Sequence, residues 1–374
     1  MARAPAVQEI EALPEADRLD GFPHPRHARS VIGRDLTQQM LAERVATNRL
    51  HHGWLITGPQ GIGKSTLAYA FTRHLLAKPH ERDPAAVTLT VPATSVAFRQ
   101  VAALSHPDLL LLRRPWDQKA KRHTASIPID EVRRLRMFLG HKAEAEAWRV
   151  VLVDTADDLA AGAANALLKS LEEPPPRTVF LLLSSEPGRL LPTIRSRCRL
   201  LALPRLAPDD LKAAVGQAIT ASDNCKPPSP GEWPQLIELS QGSVRRALTV
   251  SSTGGLKIYD RVLAAVTALP NIDWAAIHTL SDEMAGAAAE QKFEQFFEFL
   301  LDLLSRLVHA SASGEGTQAD LALARALITG TRLPVLAAAW SEISATKAEA
   351  MALNLDRKHL IMNTIARLAV ATSN

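Results

Sequence analysis

Only two cysteines, Cys198 and Cys225, occur in 374 residues. That scarcity excludes both a disulfide framework and a four-cysteine zinc site. No apolar run approaches the roughly 20 residues of a membrane-spanning helix, so no membrane contact is expected. The N-terminus mixes proline with both charges and lacks an apolar signal core, and the expected compartment is the cytoplasm. Neither sign of charge dominates: 43 Lys and Arg stand against 39 Asp and Glu. That balance permits contact with nucleic acid without requiring it. The imbalance is local, with ten basic and five acidic residues between Arg113 and Arg149. This stretch reads as a solvated basic loop and helix, with a DNA- or partner-facing surface as the sharper alternative.

What is present begins with Gly58-Pro59-Gln60-Gly61-Ile62-Gly63-Lys64-Ser65-Thr66, a complete G-x-x-x-x-G-K-S phosphate-binding loop. It follows the apolar run Trp54-Leu55-Ile56-Thr57 and opens into a helical stretch, the context such a loop requires. Gly58, Gly61 and Gly63 let the backbone curl around phosphate oxygens at a helix N-terminus. Lys64 is expected at the β and γ phosphates, Thr66 at the nucleotide, and Ser65 on Mg²⁺. The expected cofactors are therefore ATP or ADP with Mg.

The acidic partner of such a loop is Asp154, at the end of Val150-Val151-Leu152-Val153. It is expected to organise Mg²⁺ together with Ser65. The next residue is Thr155, where a water-polarising carboxylate would be needed for hydrolysis, and a threonine hydroxyl is too weak a base. Asp157 and Asp158 lie further along and are expected to point elsewhere. Nucleotide binding is thus expected, with ATPase activity of the chain itself weak or absent. Further on, Val179-Phe180-Leu181-Leu182-Leu183 reads as a buried strand ending at Ser184-Ser185. Ser184 there suits either a γ-phosphate sensor or a simple turn. Leu191-Pro192-Thr193-Ile194-Arg195-Ser196-Arg197-Cys198 carries two arginines near a strand start, and arginine suits phosphate charge.

Apolar strand-like runs at 53–57, 108–113, 149–153, 178–184 and 199–203 alternate with helical patterns at 35–48, 64–77, 129–140, 159–172 and 187–194. That alternation predicts an α/β domain with a parallel sheet covered on both faces. Residues 78–107, rich in Pro and Ala, read as a surface excursion. After Pro204 the strand signals stop. Residues 208–220 and 234–252 read as helices, and from about 256 onward amphipathic helical patterns recur. One of them, Phe293-Phe296-Phe297-Phe299-Leu300-Leu303-Leu304-Leu307, fits either a helical core or a subunit contact. The expected division is a flexible lead-in over 1–25, a nucleotide-binding domain over 26–204, a small helical lid over 205–255, and a helical collar or oligomerisation domain over 256–374.

The loop, V-D-T-A-D, A-N-A-L-L-K-S-L-E-E-P-P over 163–175 and L-P-T-I-R-S-R-C over 191–198 occur in order. Together they resemble the clamp-loader branch of the AAA+ family. His24-Pro25 and Val31-Ile32-Gly33 match that family's adenine-side segment, and Gly242-Ser243-Val244-Arg245 matches its lid motif. The resemblance covers roughly 22–250. It implies a P-loop AAA+ domain, a helical lid and an all-helical collar. It also implies a subunit of a hetero-pentameric ring that, with other clamp-loader subunits, loads the sliding clamp onto primed DNA in replication. Arg245 would sense nucleotide, and Arg197 would act in trans as an arginine finger on a neighbour's ATP, the one catalytic role expected. Many relatives carry a four-cysteine zinc module near 78–107; this chain has no cysteine there, so no zinc site is expected. A hydrolysing AAA+ motor, either the loader's own or a recombination or remodelling ATPase, is the alternative, and Thr155 argues against it.

Overall fold

The computed structural model describes residues 14–82, 88–140, 147–222, 225–286, 289–328, 332–353 and 355–373. Residues 1–13 of the expected lead-in, 83–87 of the expected surface excursion and 141–146 of the basic stretch lie outside the described residues. The chain divides into two compact units, Met1–Leu248 and Thr249–Asn374.

The first unit is built on five parallel strands in the order β2-β5-β6-β1-β7. These are β1 (Gly53–Thr57), β2 (Leu109–Leu112), β5 (Arg149–Val153), β6 (Thr178–Ser184) and β7 (Arg199–Ala202), with a two-residue hairpin, β3 (Trp116–Asp117) and β4 (Arg122–His123), after β2. Val, Leu and Ile dominate the inner strands because both faces of a parallel sheet are covered. β6 is buried along its whole length. Successive residues alternate between the two sides, as the strand period requires. Trp54, Ile56, Val179 and Leu181 enter one core cluster with Leu67 and Phe71. Leu55, Phe180 and Leu182 enter the other with Leu167, Leu171 and Ile194.

The helices of this unit are α1 (Asp35–Ala46), α2 (Lys64–Leu76), α3 (Val96–Ala102), α4 (Ile129–Gly140), α5 (Ala161–Glu172), α6 (Pro192–Arg197), α7 (Pro208–Thr220), α8 (Trp233–Ser240) and the first half of α9 (Val244–Thr253), which continues into the second unit. The strands and the parallel doubly covered sheet are those the sequence predicts. Three details differ. The surface excursion contains α3, capped by Ser95, whose Oγ accepts from Phe98 N. The helix expected over 187–194 is a short 3₁₀ turn, Pro187–Arg189, followed by α6. The helix expected over 234–252 is broken between α8 and α9, where Gln241 (φ 47°) and Gly242 (φ 76°) take the left-handed conformation that ends helices.

Four arginines of the basic stretch are ion-paired. Arg114 pairs with Asp158 at 3.0 Å and Arg113 with Glu15 at 3.2 Å, while Arg133 and Arg134 pair with Asp130 and Glu131 one turn back. These contacts favour the structural reading of those charges.

The second unit is helical: α10 (Gly255–Thr267), α11 (Trp274–Met284), α12 (Glu290–Ser313), α13 (Gln318–Leu327), α14 (Arg332–Ala352) and α15 (Arg357–Thr372). The Phe/Leu face of α12 is its core. Phe293, Phe296, Phe297, Phe299, Leu300 and Leu304 are all 0% exposed. That choice between core and subunit contact is resolved in favour of core. Among the described residues no single helix is long and apolar enough to cross a membrane.

Candidate functional site

The sheet delivers the chemistry to one edge. β1 ends at Thr57, and the chain then turns through Gly58–Gly63 into α2, with Gly63 (φ 97°) as its N-cap. Two glycines have steric reasons to be there. At Gly58 (φ 140°) a Cβ would stand 2.5 Å from the Leu203 carbonyl oxygen, and at Gly61 (φ 78°) it would stand 2.4 Å from Ser243 Oγ. The loop therefore lies pressed against β7's exit and the start of α9, as only glycine permits. α9 grips it in return: Val244 N donates to Gly61 O at 2.9 Å and Ser243 Oγ to Gln60 O at 2.9 Å.

Lys64 opens α2 and folds back over the loop. Its Nζ donates to Gly58 O at 2.7 Å, Pro59 O at 2.9 Å and Ser185 Oγ at 2.8 Å. Burial lowers its pKa to about 8, against the pull of Asp157 and Asp154. The ammonium thus stays charged at neutral pH. Ser65 Oγ donates to Asp154 Oδ2 at 3.1 Å, which brings the two expected magnesium ligands together. Asp154 is 4% exposed. Burial first, then the Asp17 charge, pushes its carboxyl up to about 7, opposed by Ser65 and Lys64. A hydroxyl and a hard carboxylate side by side, next to a captive ammonium, suit Mg²⁺ and polyphosphate.

Thr155 lines the same cavity, and its Oγ1 approaches Asp154 Oδ1 at 3.5 Å. Both later aspartates are occupied. Asp157 accepts from Ser184 Oγ at 2.5 Å, Ser185 N at 2.6 Å and Glu186 N at 3.3 Å, while Asp158 pairs with Arg114. Neither is a free base. Asp157 also corrects the position of the strand-end serine: Ser184 is fully buried and turned to Asp157, whereas Ser185 lies on the cavity and bonds Lys64. A residue at the last position of a fully buried strand points inward, and the next one clears the sheet.

The cavity holds about 860 Å³ and takes in Gly61, Gly63, Lys64, Ser65, Thr66, Asp154 and Arg245 of the predicted set. His24, Pro25, Val31 and Ile32 form one wall and α7 and α9 another. Burial holds His24 neutral, with a pKa lowered to about 3. Sequence reasoning missed the stretch before it. Residues 14–24 contain no helix or strand, but Phe22 is 4% exposed and Asp17 and Leu19 reach the cavity. An irregular segment carries no periodicity to reveal such contacts.

Arg197 stands apart from these residues and outside the cavity lining. At the end of α6 it is half-exposed, pairs with Glu172 at 2.5 Å and donates to Thr193 O at 2.9 Å. Cys198 beside it packs against Gly53, and burial pushes its thiol up to about 11.

Comparison with known proteins places this architecture. The model of the family described as "DNA polymerase III, delta subunit" matches residues 33–207. The Escherichia coli DNA polymerase III subunit delta' is 30% identical over 273 residues, covering 72% of this chain and 74% of that protein. The chain belongs to the DNA polymerase III delta' family. The Pseudomonas aeruginosa subunit delta' is 40% identical over 168 residues, a stretch spanning 45% of this chain and about half (48%) of the relative. The Haemophilus influenzae DNA polymerase III subunit tau/gamma is 28% identical over 230 residues, covering 61% of this chain and 30% of that protein.

Proposed function

We propose that the chain is a nucleotide-binding subunit of a DNA polymerase III clamp loader that takes ATP or ADP with Mg²⁺ and does not itself turn ATP over. One observation carries the reading. The binding half of the site is assembled (Lys64 over the loop, Ser65 on Asp154), while the hydrolytic half is missing, with Thr155 after Asp154 and both Asp157 and Asp158 engaged elsewhere. The ion would be held through Ser65 and Asp154 and would neutralise phosphate charge. Lys64 would exchange its two loop carbonyls for phosphate oxygens, a charge-assisted contact in place of neutral ones. Arg245, on the cavity wall, would face the phosphates from the α9 side.

Arg197 has a separate role in this reading. It lies outside the chain's own cavity, half-exposed at a helix end, which suits a finger offered to a neighbour's ATP. The neighbours would be the other loader subunits, in a ring of five that carries the sliding clamp to primed DNA. Tau/gamma-type subunits, to which this chain is also similar, are the natural candidates.

The deciding experiment is calorimetric titration of the full-length chain with MgATP and MgADP, run beside an ATPase assay of the chain alone. Saturable 1:1 binding with no turnover is expected. Robust turnover by the isolated chain would return it to the motor class, and absence of binding would reduce the loop to a structural turn.

A further inference from the structure

We propose that residues 14–22 form a strap that competes with nucleotide for the P-loop site, so that phosphate binding and strap release are one coupled event. The inference rests on the nucleotide reading above and adds a regulatory element to that same site.

The strap runs along the cavity that Lys64, Ser65 and Asp154 line, and contributes Asp17, Leu19 and Phe22 to its wall. It also holds the arginine that phosphate would need. Arg245 Nη1 donates to Asp17 O at 3.3 Å and Nη2 to Arg18 O at 3.4 Å. Those are long bonds to neutral acceptors, whereas a phosphate offers shorter, charge-assisted ones. Asp17's carboxyl adds a direct conflict. It lies within electrostatic reach of Arg113, Arg114 and Arg245 and also of Asp154 and Asp158. Its Oδ2 is buried without a hydrogen-bond partner. An anionic ligand entering beside Asp154 meets a second buried carboxyl with an unbonded oxygen, and swinging Asp17 out into water relieves both penalties.

The attachments suit a displaceable middle between fixed ends. Glu15 is clamped by Arg26 and by Arg113 at one end. At the other, Phe22 is buried and Ser222 Oγ donates to Gly21 O at 2.7 Å. Between them the backbone carbonyls of Asp17 and Arg18 meet the rest of the unit through Arg245's long bonds, while Arg18 Nε donates within the strap to Phe22 O at 2.9 Å and Asp20 is exposed.

The test uses full-length protein, wild type and two variants, Asp17→Asn and Ser222→Ala, titrated with MgATP and with ATP in EDTA. Asp17→Asn keeps the shape and removes the charge; Ser222→Ala loosens the strap without touching the cavity. Both are expected to tighten nucleotide binding, Asp17→Asn by about 5-fold or more and most clearly without Mg²⁺. In parallel, saturating MgATP is expected to speed trypsin cleavage after Arg18 in the wild type. Unchanged affinity in both variants, or a cleavage rate indifferent to ATP, overturns the strap while leaving the nucleotide site standing. Weaker MgATP binding by Asp17→Asn overturns it too, by making Asp17 a support of the ion. No binding by any of the three proteins overturns the strap and the nucleotide reading together.

Discussion

Lys64 shows how much a single buried side chain is asked to do. The residue is 8% exposed and its ammonium is satisfied by three oxygens, two of them carbonyls of the loop it will help to fill. Replacement by alanine removes both the loop's internal clasp and the charge that phosphate requires. Lys64→Ala should therefore weaken MgATP binding by about 10- to 100-fold, the cost of one to two lost charged hydrogen bonds. Titration calorimetry reads that loss, and circular dichroism should show the fold retained. Two histidines make a different prediction at this scale. Burial lowers His24 to about 3 and His74 to about 4, from an ordinary value of 6.5. A depressed folded-state value means that the unfolded chain binds the proton first. Their stabilising share is complete above pH 6.5 and is lost as pH falls toward 4 and 3. Melting temperature should fall steadily from pH 7 to pH 4. His74→Gln should blunt that slope, sparing up to about 2 kcal/mol near pH 4, as thermal melts across the range would show.

At the scale of elements, the contact between the P-loop and α9 links the loop to the wall that carries Arg245. Gly61 sits at its centre: its carbonyl receives Val244 N, and its missing Cβ leaves room for Ser243 and Arg245. Gly61→Ala would force the two apart from a left-handed backbone, at a cost of about 1–3 kcal/mol in stability. Gly63→Ala shares the unfavourable φ, but its Cβ would meet nothing within 4 Å, so it should cost less. Urea denaturation of the two variants should show that order, and the reverse order would mean that the α9 contact is loose. The same elements explain what was legible in advance. Buried parallel strands announce themselves as unbroken apolar runs, so β1, β5 and β6 were placed to the residue, and the loop with its acidic partner followed from them. The break between α8 and α9 was signalled by Gln241-Gly242 but hidden by the amphipathic pattern on either side. The strap was invisible because it has no periodicity: Glu15 acts through Arg26 and Arg113, and the Asp17 carbonyl through Arg245, contacts that no local pattern announces.

At the scale of the whole molecule, the division of labour between Lys64 and Arg197 becomes testable. One lies in the chain's own cavity; the other lies outside it, tied to Glu172 and Thr193 by contacts a neighbour's phosphate would have to replace. If the chain offers its arginine to another subunit, the two variants must separate. Arg197→Ala should lower ATP turnover of a reconstituted loader by about 100-fold or more, in line with an arginine finger's contribution to charge stabilisation. Its assembly, followed by size-exclusion chromatography, should be unchanged. Lys64→Ala should leave that turnover nearly intact, because the ATP being hydrolysed belongs to a neighbour. Arg195→Ala, two residues away and exposed, serves as the control for surface charge. Equal loss from Lys64→Ala and Arg197→Ala would place hydrolysis in this chain's own site, and an Arg197→Ala loader with normal turnover would remove the in-trans role.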